Sequence, residues 1–278
     1  MTTRKILIQI YSDLHLELTN SIPKIIPRSP YLFLAGDISS FNHASFGDFL
    51  TYCNNNWTKT FYVFGNHDYW DINSHIQKIK RQVKEYLEHR ELSNVYILDN
   101  QFVSLNDDVT VFGSTFWTQS PFMNEYDGRM YINDYNMIRF KRNITDASLC
   151  DLTPRDVNQL YSEDYAKIYE VLNTNELTKS KKLILMTHFP PQQSRTSHSK
   201  YALQDKRMKN YFSHPDGTIK EFDNCSNILC WISGHTHYSY DFTSAEGVRL
   251  ISNQMGYLKE AISGESCFRE DGLFEIEY

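Results

Sequence analysis

The sequence lacks a long uninterrupted run of hydrophobic residues. Its first apolar stretch, Ile6–Ile10, is shorter than the core of a signal peptide and far shorter than the roughly 20 residues of a transmembrane helix. We therefore expect a cytoplasmic protein that has no membrane partner.

Cysteine is also scarce and shows no pairing pattern. The five cysteines are odd in number, and no Cys-x-x-Cys pair is present. A disulfide framework or a thiolate zinc site would show such a pattern, so we expect neither, and predict buried free thiols in a reducing compartment. The cysteines are Cys53, Cys150, Cys225, Cys230 and Cys267.

Basic residues are not in excess either. The 28 lysines and arginines are outnumbered by 34 acidic residues, which gives a net charge of -6. Such a chain is poorly suited to holding a long nucleic-acid backbone, so we expect a small-molecule substrate rather than nucleic acid. Linkers rich in proline or glycine and internal repeats are absent too, so the expectation is a single domain over residues 1–278.

The sequence does contain an alternation of short apolar strands and amphipathic helices. The spacing of apolar residues over Ile76–Leu87 predicts a surface helix capped at Asn73 or Ser74, and Pro154 suits the first turn of a second helix. Strands separated by helices predict parallel pairing, and the strand-rich end predicts an added antiparallel portion, so the fold class is α/β. The predicted strands are Lys5–Tyr11, Tyr31–Ala35, Thr60–Phe64, Val95–Leu98, Val109–Phe112, Leu183–Thr187, Ile228–Ser233 and Val248–Ser252.

Several of these apolar runs end in a carboxylate, an amide or an imidazole. This ending is typical of a buried strand whose C-terminal tip opens onto a cleft. Oxygen and nitrogen donors without a thiolate favour manganese, iron or zinc over calcium. The set is larger than one tetrahedral site uses, and a carboxylate such as Asp37 can bridge, so we expect two divalent metal ions. The candidate ligands are Asp13, His15, Asp37, Asn66, His188, His235 and His237.

Two segments do not fit regular elements and are candidates for the walls of an anion site. Thr115–Asn143 is rich in aromatic residues, which argues against disorder, and Phe189–Phe212 is basic within an acidic chain. The alternative is that the aromatic residues belong to the core and the charged residues to a solvated face. The charged residues of the second segment are Arg195, Lys200, Lys206, Arg207 and Lys209 against Asp205.

The order of the ligand-type residues resembles the calcineurin-like metallophosphoesterase superfamily. The matching segments are Asp13-x-His15, Gly36-Asp37, Gly65-Asn66-His67-Asp68, His188 and Gly234-His235-x-His237. The resemblance spans nearly the whole chain, and it implies a four-layer sandwich of two mixed β-sheets flanked by α-helices. Further segments are similar to single-domain members known mainly from bacterial genomes, whose substrates are generally unassigned. These segments are Ser12–Glu17, Gly113–Thr118, Asn133–Tyr135 and Asn253–Tyr257.

The resemblance also implies a role for each residue. The implied ligands of one metal ion are Asp13, His15 and His237, and those of the other are Asn66, His188 and His235, with Asp37 bridging. His67 would stabilise the phosphoryl oxygens or protonate the leaving group, and Asp68 would orient His67 through a hydrogen bond. The chain departs from the family pattern twice: it has Asp68 where many members carry glutamate, and Phe189 where many of the similar group carry histidine.

These features together predict a metal-dependent hydrolase of phosphate esters, in which a hydroxide bridging the two metals attacks phosphorus. The first expectation is a small-molecule phosphodiester with nucleotide-like groups, with Trp117 or Tyr135 stacking on the substrate and Arg139 countering its charge. A phosphomonoester is the alternative. A nuclease is less favoured because the chain has no broad basic stripe, and a non-catalytic scaffold because the full set of ligand types is present.

Overall fold

The computed structural model describes residues 4–19, 24–121, 123–142, 149–173, 181–222 and 225–278. Its strands are β1 (Lys5–Tyr11), β2 (Tyr31–Leu34), β3 (Lys59–Tyr62), β4 (Val95–Ile97), β5 (Gln101–Ser104), β6 (Val109–Ser114), β7 (Arg139–Phe140), β8 (Cys150–Asp151), β9 (Lys182–Thr187), β10 (Ile228–Ile232), β11 (Tyr240–Thr243), β12 (Arg249–Ser252) and β13 (Leu273–Glu277). Its α-helices are α1 (Leu16–Thr19), α2 (Ala44–Asn56), α3 (Ile76–His89), α4 (Glu125–Tyr131), α5 (Asp134–Met137), α6 (Pro154–Asn173), α7 (Lys206–Phe212) and α8 (Leu258–Ser263).

One sheet has five strands in the order β13-β1-β2-β3-β4. The strands β1 to β4 are parallel, whereas β13 pairs antiparallel with β1. Parallel neighbours need a crossover connection, and α2 and α3 lie in the connections that follow β2 and β3. The carboxyl ends of β1, β2 and β3 therefore meet at one edge of this sheet.

The other sheet has six strands in the order β11-β12-β10-β9-β6-β5. Its central strands β6, β9, β10 and β12 are parallel, and β5 and β11 pair antiparallel at the two edges. The strands β7 and β8 form a separate short ribbon. As in the first sheet, the carboxyl ends of neighbouring strands, here β9 and β10, lie side by side.

The two sheets pack face to face through a buried apolar layer. Ile8, Phe33 and Val63 from the first sheet belong to the same fully buried cluster as Ile184 and Ile232 from the second. Burying each side chain of this size stabilises the fold by about 1.5–3 kcal/mol. This layer fixes the position of the strand ends of one sheet relative to those of the other.

Helices cover the outer faces of both sheets. Phe49 of α2 and Val83 of α3 share an apolar cluster with Leu34 of β2, and Ile168 of α6 shares another with Trp231 of β10. Two mixed sheets flanked by helices are the predicted architecture, which is thereby confirmed. The prediction that residues 1–278 form one domain stays a prediction.

The observed elements differ from the predicted ones in a few places. The strands β5, β7, β8, β11 and β13 were not among the predicted strands; β5 has no fully buried side chain, so no apolar alternation marks it. The cap of α3 is His75, rather than Asn73 or Ser74, because the His75 ring accepts a hydrogen bond from the backbone of Lys78 at 3.3 Å. Helix α6 begins at Pro154, as predicted.

Thiols and possible membrane spans were the subject of two further predictions. All five cysteines are free: Cys53 and Cys230 are buried, Cys150 and Cys225 are partly buried, and Cys267 is exposed. Free thiols are therefore observed, although they are not uniformly buried. Among the described residues, no helix has the combination of length and apolar character needed to cross a membrane.

One histidine, His214, is fully buried in the core. The ring of His214 stacks on Phe116 with its centroid 3.7 Å away, and Nε2 donates to the Phe116 carbonyl at 3.1 Å. Burial lowers the pKa of His214 to about 4, although the hydrogen bond to Phe116 opposes the shift. His214 is therefore neutral in the folded protein and charged in the unfolded chain at mildly acidic pH.

This difference predicts a specific acid sensitivity. A folded-state pKa below the unfolded value means that stability is present above about pH 6.5 and is lost as pH falls towards 4. Between pH 7 and pH 4, the wild-type protein should lose on the order of 3 kcal/mol more unfolding free energy than His214→Gln, because the glutamine does not titrate. Urea unfolding of chelated protein at both pH values checks this difference.

The exposed His89 provides the matched control. The variant His89→Gln should keep the pH dependence of the wild-type protein. Equal acid sensitivity of His214→Gln and wild type would show that the buried ring is not responsible.

Candidate metal centre

The predicted ligands follow the carboxyl ends of parallel strands in both sheets. They are Asp13 and His15 after β1, Asp37 after β2, Asn66 after β3, His188 after β9, and His235 and His237 after β10. Because the sheets face each other, these strand ends converge, and the structure brings the whole set together at one edge of the sandwich. Residues from distant parts of the chain thus form one buried cluster.

One group within this cluster consists of Asp13, His15 and His237. Their ligand atoms all lie within 4.8 Å of one another. The Nε2 atoms of His15 and His237 face each other at 3.0 Å, and Nε2 of His237 lies 3.6 Å from Oδ1 of Asp13. Two imidazole nitrogens and a carboxylate that converge in this way suit a divalent cation.

A second group consists of Asp37, His188 and His235, again within 4.8 Å of one another. Nε2 of His188 lies 3.4 Å from Oδ2 of Asp37 and 2.9 Å from Oδ1 of Asn66, which adds an amide oxygen to the group. Nε2 of His235 is buried and has no hydrogen-bond partner among the described residues. An unpaired buried nitrogen beside a carboxylate fits a metal ligand.

Asp37 lies between the two groups. Besides its place in the second group, its carboxylate lies within 4.8 Å of ligand atoms of His15 and His67. Its Oδ1 atom also accepts a hydrogen bond from the backbone N–H of His67 at 2.8 Å. A carboxylate in this position can reach both groups, as a bridging ligand must.

Four of the ligands have a hydrogen-bond partner on the side that faces away from the centre. The contacts are His15 Nδ1 to Glu17 at 3.2 Å, His237 Nδ1 to Glu260 at 2.6 Å, His188 Nδ1 to the Ala35 carbonyl at 2.8 Å, and Asn66 Nδ2 to Asp134 at 3.0 Å. Each acceptor takes the Nδ1 or amide hydrogen, which leaves Nε2 or the amide oxygen free for a cation.

The backbone at several ligands is strained. Asp13, His15, Asp37, His235 and His237 all have positive φ angles, from 44° to 74°. Residues with a Cβ atom rarely adopt this conformation, which costs about 1–3 kcal/mol each. The surrounding hydrogen bonds and packing therefore hold these side chains in directions that relaxed loops would not give them.

Two glycines allow the loops to approach closely. A Cβ atom on Gly65 would lie 2.1 Å from Oδ1 of Asp37, and one on Gly36 would lie 2.4 Å from Nδ1 of His188. No side chain fits at these distances, so the glycines are required by the closeness of the ligands.

The electrostatics of the cluster favour a cation. Burial would raise the pKa of Asp37, but the nearby His188 and His67 outweigh burial and hold it well below its usual range. Burial also opposes the charged form of His188, yet Asp37 raises its pKa to about 9. An ionised carboxylate is thus buried at the centre, and in the metal-free protein a histidine supplies the positive charge.

His67 sits beside the cluster in an unexpected environment. Its ring stacks on Trp70 with centroids 3.5 Å apart, and its Nδ1 lies 3.6 Å from Oε1 of Glu17. Burial would raise the pKa of Glu17, but contacts with His15 and His67 outweigh it and lower the pKa to about 2. The carboxylate that faces the His67 ring is therefore Glu17, and it is ionised.

The carboxylate of Asp68 contacts backbone N–H groups, and its predicted orienting role stays a prediction. Its carboxylate accepts hydrogen bonds from the backbone N–H groups of Gly65 at 2.6 Å, Asp37 at 3.1 Å and Ile38 at 3.2 Å. These bonds join the loops after β2 and β3 and leave the His67 ring to other partners. Burial and the nearby Asp37 raise the pKa of Asp68 to about 7.

A cavity of about 1120 Å³ opens over the cluster. Asp37, Asn66, His67, His235 and His237 lie at its base. Its walls include Trp70, Tyr131, Asp134, Arg195, His198, Tyr201, Tyr211, Phe212, Tyr238, Tyr257 and Glu260. Both segments predicted as walls contribute, the first only through residues 131–134 and the second through most of residues 193–212. Phe122 and Asn143 of the first segment lie outside the described residues.

The predicted substrate contacts do not line this cavity. Trp117 and Tyr135 are almost fully buried, and Trp117 packs between Tyr69 and Phe189. Arg139 forms an ion pair with Asp151 at 2.9 Å. The aromatic residues of this segment are therefore mostly core, as the alternative interpretation holds, because apolar burial outweighs any role at the surface.

Several residues around the centre escaped the sequence reasoning. Glu17 and Asp134 belong to segments that carry the family resemblance, so their acidic side chains were a usable signal. Tyr257, which lies against His237, also belongs to such a segment, whereas no motif marks Trp70, which stacks on His67, or Glu260, which supports His237. Trp70 and Glu260 become visible only in three dimensions.

The close approach at Gly65 predicts the effect of a single methyl group. The variant Gly65→Ala should lower the affinity for Mn²⁺ at least about tenfold and the free energy of unfolding by about 1–3 kcal/mol, because the methyl group displaces Asp37. Calorimetric titration with Mn²⁺ and urea unfolding measure the two quantities.

Gly247 provides the control, because it has a φ of +82° and no neighbour within 4 Å. Gly247→Ala should therefore lose about 1–2 kcal/mol of unfolding free energy and keep wild-type Mn²⁺ affinity. Unchanged Mn²⁺ binding by Gly65→Ala would contradict the steric argument.

Comparison with known proteins places the chain in a family. Residues 7–239 match the family model for calcineurin-like phosphoesterase. An uncharacterised protein of Acanthamoeba polyphaga mimivirus is 29% identical over 280 residues, covering 91% of this chain and 92% of that protein. The crystal structure of a phosphopantetheinyl hydrolase from Mycobacterium tuberculosis is similar in fold, with a TM-score of 0.67 and 17% identity, and the match covers 96% of this chain and 94% of that one. The chain therefore belongs to the calcineurin-like phosphoesterase family and is a metal-dependent phosphoesterase.

Proposed function

We propose that the protein hydrolyses small-molecule phosphodiesters at a centre of two divalent transition metal ions. The proposed ligands of one ion are Asp13, His15 and His237, those of the other are Asn66, His188 and His235, and Asp37 bridges. Manganese, iron and zinc all suit these oxygen and nitrogen donors.

One observation carries this proposal: two groups of ligand atoms lie on either side of Asp37 at the base of one cavity. A single metal site needs only one such group. In the second group, Nε2 of His235 has no hydrogen-bond partner among the described residues. Hydrogen bonds to Glu17, Glu260 and Ala35 support the tautomer of His15, His237 and His188 that a metal requires.

The chemistry follows from these positions. When bound, two divalent ions supply an activated water nucleophile and neutralise charge on the phosphoryl oxygens. His67 lines the cavity next to the centre, where its Nε2 can hydrogen-bond to a phosphoryl oxygen or deliver a proton to the leaving group. Asn66 is oriented by Asp134, which fixes the amide oxygen towards His188 and the second group.

The charge of the site favours a diester over a monoester. The carboxylates around the centre together offset the charge of two divalent ions; they are Asp13, Asp37, Glu17, Asp134 and Glu260. A dianionic monoester would add more negative charge to this balance than a monoanionic diester. The cationic side chains of the lining, Arg195 and Lys209, come from the segment after β9, and Lys209 already bonds to the Ala202 carbonyl.

The cavity also suits organic groups on the phosphate. Its volume of about 1120 Å³ far exceeds a phosphate ion, and Trp70, Tyr131 and Tyr257 offer aromatic surface near the centre. A nucleotide-like diester can place a ring on such surface. The Mycobacterium tuberculosis protein shares the fold alone, but its name justifies including a phosphopantetheinyl ester among the substrates tested.

Hydrolysis of two synthetic substrates tests the proposed function. After chelation and addition of Mn²⁺, the protein should hydrolyse bis-p-nitrophenyl phosphate with a higher kcat/KM than p-nitrophenyl phosphate. Both Asp37→Asn and His188→Ala should lower this activity at least about 100-fold, because each removes a donor from the centre. Metal analysis of the same variants should show lost metal.

The exposed Asp48 on α2 is the matched control, and Asp48→Asn should retain wild-type activity and metal content. A higher rate on the monoester would favour the phosphomonoesterase alternative. Full diester hydrolysis by Asp37→Asn would remove the basis for the proposed centre.

His67 has a separate expected signature. The variant His67→Ala should bind Mn²⁺ like the wild type, since the ligand groups stay intact, but its kcat should fall about 10²–10⁴-fold. Calorimetry and steady-state kinetics on the diester measure the two effects. An emptied metal site in this variant would instead make His67 a ligand.

A further inference from the structure

Glu17 lies between two histidines that have different proposed roles. Its Oε1 atom is 3.2 Å from Nδ1 of His15 and 3.6 Å from Nδ1 of His67. The side chain is 14% exposed and belongs to the single-turn helix α1. One carboxylate therefore faces both a proposed metal ligand and the histidine next to the substrate.

The contact between Glu17 and His67 has unused hydrogen-bonding capacity on both sides. Oε2 of Glu17 and Nδ1 of His67 are buried atoms without a hydrogen-bond partner among the described residues. Leaving buried polar atoms unpaired is unfavourable, and the same carboxylate already lies 3.6 Å from Nδ1 of His67 through Oε1. We therefore expect one carboxylate oxygen to accept from each histidine.

The His67 ring is otherwise held by contacts with its faces and edges. Trp70 stacks on it with an interplanar angle of 22°, and the His15 ring meets it edge-on at a centroid distance of 4.5 Å. The backbone N–H of His67 is bound to Asp37. These contacts fix the plane of the ring but not its rotation by a half turn, which would exchange Nδ1 with Cδ2 and Nε2 with Cε1.

We propose that Glu17 is the positioning residue for both histidines. It holds the Nδ1 hydrogen of His15, which directs Nε2 at the metal, and the Nδ1 hydrogen of His67, which directs Nε2 at the leaving group. This inference rests on the proposed phosphoesterase mechanism. It assigns to Glu17 the orienting role expected of Asp68, whose carboxylate is occupied by backbone N–H groups.

The position of Glu17 is itself well fixed. The backbone N–H of His15 bonds to the Asp37 carbonyl at 3.1 Å, and that of Leu16 bonds to the Ile38 carbonyl at 2.9 Å. Leu16 is buried in the core. The turn that carries Glu17 is thereby tied to the loop that carries Asp37, so the carboxylate is held in a set place relative to the centre.

Replacing Glu17 by glutamine tests whether one carboxylate supports both histidines. Its side chain keeps one acceptor oxygen and replaces the other with an NH₂ group, so the two histidines no longer have an acceptor oxygen each. In Glu17→Gln at saturating Mn²⁺, kcat should fall about tenfold on methyl p-nitrophenyl phosphate and about 100-fold on methyl phenyl phosphate. The phenolate of the second substrate is a poorer leaving group and depends more on His67.

Two measurements other than activity accompany the kinetics. Calorimetry should show Mn²⁺ binding to Glu17→Gln weakened about tenfold, because the support of His15 is impaired. In the metal-free protein, ¹⁵N spectra of histidine-labelled samples should show Nδ1 of His15 and His67 protonated in the wild type, and at least one of them changed in Glu17→Gln.

Glu260→Gln is the matched control, since Glu260 supports His237 at 2.6 Å and belongs to a different helix, α8. It should weaken Mn²⁺ binding about as much, yet lower kcat on the two substrates by the same factor. The exposed Glu85→Gln should match the wild type throughout.

The outcomes separate this inference from the proposed function. A wild-type protein that hydrolyses neither diester overturns the proposed function and the role of Glu17 with it. A wild-type protein that is active, together with a Glu17→Gln variant that slows both substrates equally and keeps both histidine tautomers, overturns the role of Glu17 alone. A larger loss on the phenyl substrate supports it.

Discussion

Burial of an ionised carboxylate at Asp37 is the constraint on which the rest of the centre depends. A buried charge is very unfavourable unless other groups compensate it. Here the compensation comes from His188, from the backbone N–H of His67 and, in the active protein, from the metal ions. Because these partners belong to different strands, the whole cluster of loops has to close around Asp37 for the charge to be tolerated.

The backbone strain in the ligand loops follows from this need to close around Asp37. A ligand loop in its relaxed conformation would not bring Asp13, His15 and Asp37 to a common point, and their positive φ angles show how far the chain departs from that conformation. Asp68 accepts hydrogen bonds from four backbone N–H groups of the loops after β2 and β3, those of Gly65, Asp37, Ile38 and Ser39. These bonds join the two loops, and the ring of the neighbouring His67 contacts Glu17 and Trp70.

The convergence of the proposed metal ligands could be predicted from the sequence because three features mark the segments that carry them. Each segment follows an apolar run, contains donor side chains and matches a family pattern in its order along the chain. Glycine at positions 36 and 65 adds a steric reason. Strand ends in parallel sheets meet by topology, so these residues converge whatever the rest of the packing.

The substrate contacts could not be predicted in the same way, because aromatic residues look alike in the core and on a cavity wall. Trp117 is buried between Tyr69 and Phe189, whereas Trp70 lies beside the centre, and only the tertiary packing decides which is which. The same holds for acidic residues. Glu17 and Asp68 each lie close to His67 in sequence or space, but a difference of a few ångströms determines which one faces the ring.

The ligands come from both sheets: β1, β2 and β3 of one and β9 and β10 of the other. Metal ions bound by such a set would cross-link the two sheets, in a chain whose cysteines form no disulfide. The apparent stability of the fold then depends on the concentration of free metal by mass action. Metal supply in the cell would set how much of the protein persists, as well as how fast it works.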